Sequence, residues 1–350
     1  MLADVIDAVV GADTHRDTHT LEITTSTGAT LATTTVTNTA EGTAQALAWI
    51  AEHAPGQRVV AAVEGSRSYG VGLSRALSTA GLPVIEIEQP HRRERRRGKS
   101  DSIDAHLAAI HALRLDVDRL PTPRADGDRE ALRILLVARL ELTTTKTRAI
   151  NQLRALLITG DAQDRQLNRP GQFSGEHLRR IIRRRAVPDE SREQAIRRGE
   201  VRRLAVRIRD TVAELATNKT QLAEIVNDLA PGLLAKRGVG PVSAARAIAS
   251  WSHYGRCRNE AAFAALAGAS PLEASSGRTI RHRLNRGGDR ALNCALHSIV
   301  LTRWRCCPRT RAYIARRRAE GRSDRDIRRM LKRYVARELY RALNATAAQN

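Results

Sequence analysis

The strongest constraint on the fold is the alternation of short strand-like runs and helical patterns along the first 115 residues. Apolar or Thr-rich runs typical of strands occupy Val5–Gly11, His19–Ser26, Thr30–Thr37, Arg58–Val63 and Pro83–Ile87. Helical spacing occupies Ala44–His53, Tyr69–Ala80 and Ser102–Leu113, and Gly81 follows the second of these helices in the position of a left-handed cap. The order βββαβαβα predicts an α/β layer domain with a mixed sheet.

The pattern changes after Arg124, where long amphipathic stretches replace the alternation. The longest are Arg129–Leu157 and Val201–Leu229, with Leu178–Ile182 between them and a polar break at Gly160–Gly175. Helices of this length with interleaved charges predict a helical arm of coiled-coil type. From Pro231 onward we predict helices at Leu234–Ile248, Glu260–Ala267, Arg290–Arg303, Thr310–Glu320 and Asp324–Leu343. We therefore divide the chain into residues 1–118, 119–230 and 231–350.

The charge of the chain points to a polyanionic partner. It carries 59 Lys and Arg against 37 Asp and Glu, a net charge of +22. The distribution is uneven, because residues 1–90 hold ten acids and only four bases. Nucleic acid is the default partner of so basic a chain. Aromatic residues make up only 3%, which argues against base stacking as the main mode of binding.

Several other classes of protein are excluded by the sequence. No stretch approaches the ~18–20 apolar residues of a membrane span. The start carries Asp4 and Asp7 without a basic region, unlike a signal peptide. The four cysteines form no CxxC pair, so neither a zinc ribbon nor a disulfide framework is predicted. We expect a reduced cytoplasmic protein that is not bound to a membrane.

Four acidic residues form the first candidate catalytic group. Asp13 and Glu64 end two predicted strands, and such ends converge on one crevice in an open α/β sheet. Asp101 and Asp104 lie three residues apart, on one face of a predicted helix. Together they suit one or two Mg²⁺ ions, which clamp the attacking and leaving oxygens of a phosphodiester. The alternative for any single acid is a cap, a turn or a solvated helix position.

A basic run, His91–Lys99, lies directly before Asp101. It is a candidate for holding backbone phosphate next to the acids, although a solvated charge run is the usual alternative. Gly98-Lys99-Ser100 looks like the end of a nucleotide-binding loop, but Arg93 stands where that loop requires glycine, so we exclude nucleoside triphosphate binding. The candidate phosphate contacts are Arg92, Arg93, Arg95, Arg96, Arg97 and Lys99.

Two further motifs lie in the last third of the chain. Gly238-Val239-Gly240 between short amphipathic segments is typical of a helix-hairpin-helix that contacts DNA phosphate, or else of a hairpin used only for packing. Ser275-Ser276-Gly277 is a candidate nucleophile loop, although the spacing alone favours an ordinary loop. The basic residues that would stabilise phosphate near these serines are Arg278, Arg283 and Arg286.

These motifs together resemble the insertion sequence 110 family of DEDD transposases, which includes the Piv-type DNA invertases. The N-terminal resemblance is carried by Gly-Ala-Asp-Thr-His, Val-Glu-Gly and Lys-Ser-Asp-Ser-Ile-Asp-Ala. The C-terminal resemblance is carried by Gly-Val-Gly-Pro-Val, Ala-Gly-Ala-Ser-Pro, Ser-Ser-Gly and Arg-Gly-Gly-Asp-Arg-Ala-Leu. Their order and spacing cover nearly the whole chain.

The resemblance implies more than the residues alone. It implies a RuvC-like (ribonuclease H-like) N-terminal domain whose acids Asp13, Glu64, Asp101 and Asp104 bind Mg²⁺, a coiled-coil arm, and a mostly α C-terminal transposase domain. It implies a serine that attacks DNA to form a phosphoserine linkage, with Ser276 favoured and Ser275 second. It further implies a guide RNA, double-stranded DNA at element ends and target, a homodimer or homotetramer with composite active sites, and a place on the nucleoid.

Other functions stay open on the sequence. A RuvC-type Holliday-junction endonuclease would use the same acids without a covalent intermediate. A non-catalytic nucleic-acid-binding protein would use them only structurally. Tyrosine recombination is the weakest alternative, because Tyr334 and Tyr340 lie in amphipathic stretches that favour packing, and Tyr313 is the third candidate among basic helices.

Overall fold

The computed structural model describes residues 1–88, 100–168, 171, 173–186, 188–273, 275–277, 282–283 and 285–347, with only the backbone of His282. The chain forms two compact units. Unit 1 comprises Met1–Glu130, Ile248–Asn293 and Arg322–Asn350, and unit 2 comprises Ala131–Ala247 and Cys294–Gly321. The three consecutive segments expected from the sequence stay a prediction. Within the described ranges, no helix has the length and apolarity needed to cross a membrane.

A five-stranded mixed sheet lies at the centre of the N-terminal part of unit 1. Its strands are β1 (Ala8–Thr14), β2 (Thr18–Thr25), β3 (Thr30–Thr37), β4 (Val59–Glu64) and β5 (Val84–Ile87). They are arranged in the order β3-β2-β1-β4-β5, with β1 antiparallel to β2 and parallel to β4. The predicted α/β domain with a mixed sheet is confirmed, and its topology is consistent with the ribonuclease H-like domain that the resemblance implies.

Twelve α-helices are present among the described residues. The first three are α1 (Ala40–His53), α2 (Val71–Thr79) and α3 (Asp101–Leu113). The next four are α4 (Gly127–Thr159), α5 (Ala162–Leu167), α6 (Gly175–Ile182) and α7 (Arg192–Leu229). The last five are α8 (Pro241–Trp251), α9 (Glu260–Leu266), α10 (Arg290–Cys306), α11 (Pro308–Ala319) and α12 (Asp324–Ala347). The predicted helical C-terminal region is thereby confirmed.

Two segments differ from the sequence prediction. The expected polar break contains α5, because the Asp161 side chain accepts a hydrogen bond from Asp164 N at 2.8 Å and caps a short helix. The helix expected from Leu234 begins only at Pro241. Gly232 and Gly238 both adopt φ of +79°, a left-handed conformation that interrupts helical geometry, so the chain forms turns before α8.

Helices cover both faces of the sheet. On one face, Ala8, Val10 and Ala12 pack in a core with residues of α1 and α2. On the other face, Val9 and Ala62 pack in a core with the alanines of α3. Burial on both sides explains why β1 and β4 read as continuous apolar runs rather than alternating ones.

The approach of α3 to the sheet depends on Gly11 in β1. A Cβ atom at this position would lie 2.0 Å from the carbonyl oxygen of Ala105 in α3. The facing side of α3 carries small buried residues, including Ala105 and Ala109. The helix backbone therefore lies directly on β1, which brings the N-terminal turn of α3 close to the end of that strand.

Unit 2 contains its own core, formed by α4, α6 and α7. Its fully buried side chains include Leu153, Leu178 and Leu204. Arg139 of α4 donates to the Asn218 side chain of α7 at 3.1 Å, and Asn218 Nδ2 donates to the Leu135 carbonyl at 2.9 Å. These polar contacts align the two long helices side by side.

Candidate functional site

Two of the four predicted acids lie at adjacent strand ends. Asp13 is the penultimate residue of β1 and Glu64 is the last residue of β4, and both side chains are buried. Ala12 pairs with Val63 in the parallel ladder, so the two acids follow one step beyond that pair. Asp13 lies two residues after Gly11, and Glu64 lies two residues after Ala62, and both of those positions face α3. Because side chains alternate between the two faces of a strand, Asp13 and Glu64 lie on the α3 face of the sheet.

Thr14 joins these two strand ends. Its hydroxyl donates to the Glu64 carbonyl at 2.7 Å. Gly65 follows with φ of +73°, and a Cβ atom there would lie 2.5 Å from Thr14 Oγ1. The Val-Glu-Gly motif therefore ends in glycine for two reasons, the left-handed backbone and the closeness of the neighbouring strand.

The other two acids begin helix α3. Ser100 caps the helix by accepting a hydrogen bond from Ile103 N at 3.4 Å. Asp101 is the first helical residue, and its side chain is 54% exposed, whereas Asp104 one turn later is buried. The helix N-terminus favours negative charge at both positions.

His15 connects the strand end to the helix. Its Nε2 lies 3.1 Å from Asp13 Oδ2 and 3.3 Å from Asp101 Oδ1. One ligand atom from each of Asp13, His15 and Asp101 lies within 4.8 Å of the others, a spacing that fits one metal ion. No sequence motif indicated a role for His15. Its position two residues after Asp13 was a usable signal, because side chains two residues apart in extended backbone point to the same side.

The electrostatics of this cluster favour a cation. Burial raises the pKa of Asp13, and the charges of Asp104 and Asp101 raise it further against the lowering effect of His15. Negative charge gathered at a buried position is costly unless a cation compensates it. The carboxylate and imidazole donors therefore fit a divalent metal ion.

The candidate serines lie on another element of unit 1. Strands β6 (Leu272–Glu273) and β7 (His282–Arg283) pair antiparallel, with Leu272 opposite Arg283, and we call this feature the serine hairpin. Ser275 and Ser276 lie in the exposed segment that follows β6, and Gly277 adopts φ of +56°. Exposure suits a nucleophile that meets a large substrate, and it applies to both serines alike.

The structure places some of the predicted phosphate contacts and leaves others outside the described residues. Arg283 and Arg286 are described and exposed. The basic run, with Arg92, Arg93, Arg95, Arg96, Arg97 and Lys99, lies outside the described residues, as does Arg278.

The segment around Gly238 and Gly240 packs within unit 2. A Cβ atom at Gly238 would lie 3.3 Å from the Ile299 carbonyl, and α8 begins directly after Gly240. The segment before it consists of turns rather than the short helix that the motif predicted. The helix-hairpin-helix therefore stays a prediction.

The three tyrosines considered for tyrosine recombination have the following contacts. The Tyr340 hydroxyl donates to the Cys257 carbonyl at 2.9 Å, and its ring lies 5.8 Å from that of Phe263. The Tyr313 ring lies 5.2 Å from the guanidinium carbon of Arg317, as in a cation–π contact. Tyr334 is half exposed.

The site is an Asp–His–Asp cluster at the carboxyl edge of a mixed sheet, an arrangement that fits a divalent metal ion. Residues 10–159 match a family model described as Transposase, of the IS110 DEDD type. Residues 232–315 match a family model described as Transposase IS116/IS110/IS902 family. Among curated proteins, no sequence matches the chain.

The two matches agree with each other and together cover about two thirds of the chain. They fall in the same order as the N-terminal acids and the C-terminal serine segment. The chain belongs to the IS110 family of transposases, enzymes that cleave and rejoin DNA.

Proposed function

We propose that this transposase cuts and rejoins DNA by Mg²⁺-assisted phosphoryl transfer, with a serine as the nucleophile. The observation that carries the proposal is the cluster of Asp13, His15 and Asp101, with the charge of Asp104 acting on Asp13. Asp13, Glu64, Asp101 and Asp104 would hold one or two Mg²⁺ ions. When bound, Mg²⁺ supplies Lewis-acid stabilisation of the charge that develops on the phosphate oxygens.

The protein's own residues would perform the covalent step. The Ser276 hydroxyl loses its proton as its Oγ–phosphorus bond forms, and the bond from phosphorus to one sugar oxygen breaks to give a free sugar hydroxyl. A hydroxyl from a second strand then attacks the phosphoserine and releases the serine. Each step exchanges one phosphoester bond for another, so joining needs no nucleoside triphosphate.

The serine and the acids would act together in a composite site, with acids from one protomer and serine from another. Exposed apolar residues on the described part of α4, including Ile134, Val137 and Leu140, favour a homodimer or homotetramer. The net charge of +22 suits a polyanionic partner. The family resemblance implies that a guide RNA accompanies the double-stranded DNA. Such an enzyme would work on the nucleoid in the cytoplasm.

A suicide DNA substrate with MgCl₂ tests the chemistry. We expect the wild-type protein to form a covalent adduct that survives denaturation, Ser276→Ala to lose it, and Ser275→Ala to keep it. An adduct that persists in the double variant would exclude both serines. Mg²⁺-dependent cleavage without an adduct would identify a junction endonuclease instead, and no cleavage would identify a non-catalytic binding protein.

The flanking noncoding DNA tests the guide RNA. We expect a transcribed, foldable segment with stretches that pair with the element ends and the target. Adduct formation at the element end should then depend on adding that RNA. Equal adduct formation without RNA would contradict this part of the proposal.

A further inference from the structure

A cavity of about 410 Å³ lies in unit 1 at the base of the serine hairpin. Pro271 directly precedes β6 and Arg283 is part of β7, and both line the cavity. The opposite wall comes from α12 and from Arg322 just before it. The metal cluster uses none of these residues, so the cavity needs its own explanation. We call it the basic pocket.

Two sequence motifs contact each other in the walls of the basic pocket, Ala-Gly-Ala-Ser-Pro with Gly268 and Arg-Gly-Gly-Asp with Gly288. A Cβ atom at Gly288 would lie 2.3 Å from Gly268 N, and Gly268 adopts φ of +63°. The Asn293 side chain, also in the lining, donates to the Ala267 carbonyl at 2.6 Å. Backbone contacts this close leave little freedom, so the pocket is formed before any ligand arrives.

The lining of the basic pocket carries an excess of positive charge. Among the described residues of the lining, one carboxylate, that of Asp326, stands against five cationic side chains, namely Arg283, Arg322, Arg329, Lys332 and Arg333. Arg329 pairs with Asp326 at 3.3 Å. Arg333 donates to the neutral Ser270 hydroxyl, also at 3.3 Å. Like charges gathered in a concave site repel one another and attract an anion.

The basic pocket is also too large and too apolar for a lone inorganic anion. Ala269, Pro271 and Met330 contribute apolar surface. A volume of about 410 Å³ falls in the range of sites that enclose an organic ligand. Cationic and apolar surface together match a nucleotide, whose phosphate is charged and whose base is flat and weakly polar.

We propose that the basic pocket binds one unpaired nucleotide of the nucleic-acid strand held by this unit. The phosphate would contact the guanidinium groups, and the base would pack against Met330 and Pro271, as in proteins that hold a base outside the stack. The proposal rests on the proposed function only in requiring nucleic-acid binding. Both DNA and guide RNA carry this group, and the experiment below distinguishes the two sources.

Charge reversal at Arg322, compared with Arg325, tests the pocket. Both are exposed and lie three residues apart, Arg322 just before α12 and Arg325 within it, and only Arg322 lines the cavity. With a short fluorescent single strand, we expect Arg322→Glu to weaken binding about tenfold, the loss of one charged hydrogen bond. Arg325→Glu should weaken it by only about twofold through the general field. Equal losses in the two variants would overturn the proposal.

Duplex, single-stranded DNA and RNA of one sequence complete this experiment. The difference between the two variants should be largest on a single strand and small on a blunt duplex, which offers no unpaired nucleotide. A difference that is as large on the duplex would overturn the proposal. The single strand with the larger difference, DNA or RNA, identifies the source of the nucleotide.

Photocrosslinking gives a second readout, because it identifies the peptide that contacts the nucleotide. A single strand with one 5-iodouracil should crosslink to a peptide that contains Met330, and Arg322→Glu should reduce that crosslink. Crosslinks confined to other peptides would contradict the pocket.

The experiments test the serine chemistry and the basic pocket independently of each other. If Ser275→Ala/Ser276→Ala keeps both nucleotide binding and the covalent adduct, the serine chemistry is wrong and the pocket stands. If the adduct depends on serine but Arg322→Glu binds like Arg325→Glu, the pocket is wrong and the chemistry stands.

Discussion

At the scale of one residue, the Asp13 carboxylate lowers the stability of the fold while it serves the proposed metal site. Its carboxylate is buried near the charges of Asp101 and Asp104, which disfavours the metal-free fold. We expect Asp13→Asn to raise the melting temperature in EDTA by about 1–2 °C, the shift that about 1 kcal/mol gives in a chain of 350 residues. The same change should remove the stabilisation that MgCl₂ gives the wild type and lower DNA cleavage about a hundredfold or more.

The control for Asp13 is Asp17, a carboxylate that is 88% exposed shortly after β1. Asp17→Asn should leave both the melting temperature and the Mg²⁺ response unchanged in differential scanning fluorimetry. An Asp13→Asn protein that still gains stability from Mg²⁺ like the wild type would argue against Asp13 as a ligand.

His253 predicts a pH dependence of stability. Burial, together with the charges of Arg129, Arg256 and Arg124, lowers its pKa to about 4 against the opposing effect of Glu86. In the unfolded chain His253 binds a proton near pH 6.5, whereas in the folded chain it binds one only near pH 4. Stability should therefore fall as the pH drops from 6.5 toward 4. Melting temperatures across this range should fall less steeply for His253→Gln, and parallel curves would contradict the prediction.

Asp289, an acid of the Arg-Gly-Gly-Asp motif, caps a helix, although its residue type would also suit a metal ligand. Its Oδ1 accepts hydrogen bonds from Ala291 N at 2.8 Å and Leu292 N at 3.0 Å, so it caps α10. Its Oδ2 accepts from Ser250 Oγ at 2.7 Å. This acid is a structural residue, and nothing in the Arg-Gly-Gly-Asp motif by itself distinguishes it from a metal ligand.

At the scale of elements, the contact between β1 and α3 depends on a missing side chain. Gly11→Ala would put a methyl group 2.0 Å from the Ala105 carbonyl and push α3 away from the strand. We expect a loss of about 1–3 kcal/mol in the free energy of unfolding, as for overpacked cores, measured by urea denaturation. The Mg²⁺ response should weaken too, because α3 carries Asp101 and Asp104.

Gly72 is the matched control for Gly11. It lies in α2, and a Cβ atom there would meet nothing within 4 Å. Gly72→Ala should be neutral or stabilising, because alanine favours a helix over glycine. Similar losses in both variants would show that the closeness of α3 to β1 is not what requires Gly11.

A buried ion pair joins β5 to the segment before α4. Burial alone would raise the pKa of Glu86, but the hydrogen bonds and charge of Arg124 outweigh it and hold that pKa below its usual value. Arg124 N donates to Glu86 Oε2 at 2.8 Å and Nε donates to Oε1 at 2.7 Å. Nearby, Arg129 donates to the Ser252 hydroxyl at 3.1 Å.

Removing the charge of Glu86 should therefore be costly. We expect Glu86→Gln to lower the free energy of unfolding by about 3 kcal/mol, the lower end for losing one partner of a buried ion pair. Glu88, which is 76% exposed and 3.6 Å from the same guanidinium, is the control. Glu88→Gln should cost less than about 1 kcal/mol in urea denaturation, as exposed ion pairs do. Equal costs would mean that burial does not decide the strength of this pair.

At the scale of the whole molecule, exposed apolar residues on α4 predict self-association. Leu140 is 65% exposed and Val137 57% exposed, and both belong to unit 2. We expect Leu140→Glu to shift the protein toward the monomer in sedimentation velocity and to reduce DNA rejoining, because the proposed composite site needs more than one protomer. Thr220→Glu, an equally charged change at an exposed position of α7, should leave the assembly unchanged. An unaltered oligomer in Leu140→Glu would argue against this face.

Much of the fold follows from local pattern. The five strands and three helices of the N-terminal part appear in the predicted order, because burial on both faces of β1 and β4 imposes continuous apolar runs. The cap of α5 and the turns before α8 were not predicted, since single polar side chains and left-handed glycines decide them. His15 was not predicted because its partner Asp101 lies 86 positions away in the chain.

The sequence by itself determined the α/β order and the family, because these depend on residue type and spacing along the chain. It also predicts the four acids, and their role as metal ligands stays a prediction. Tertiary structure alone decided that His15 lies between Asp13 and Asp101, that Asp289 is a cap, and that two glycine motifs and α12 enclose a basic pocket. The physical reason is that contacts between distant segments depend on how closely backbones approach. That closeness is set by the packing of Gly11 on α3 and of Gly288 on Gly268.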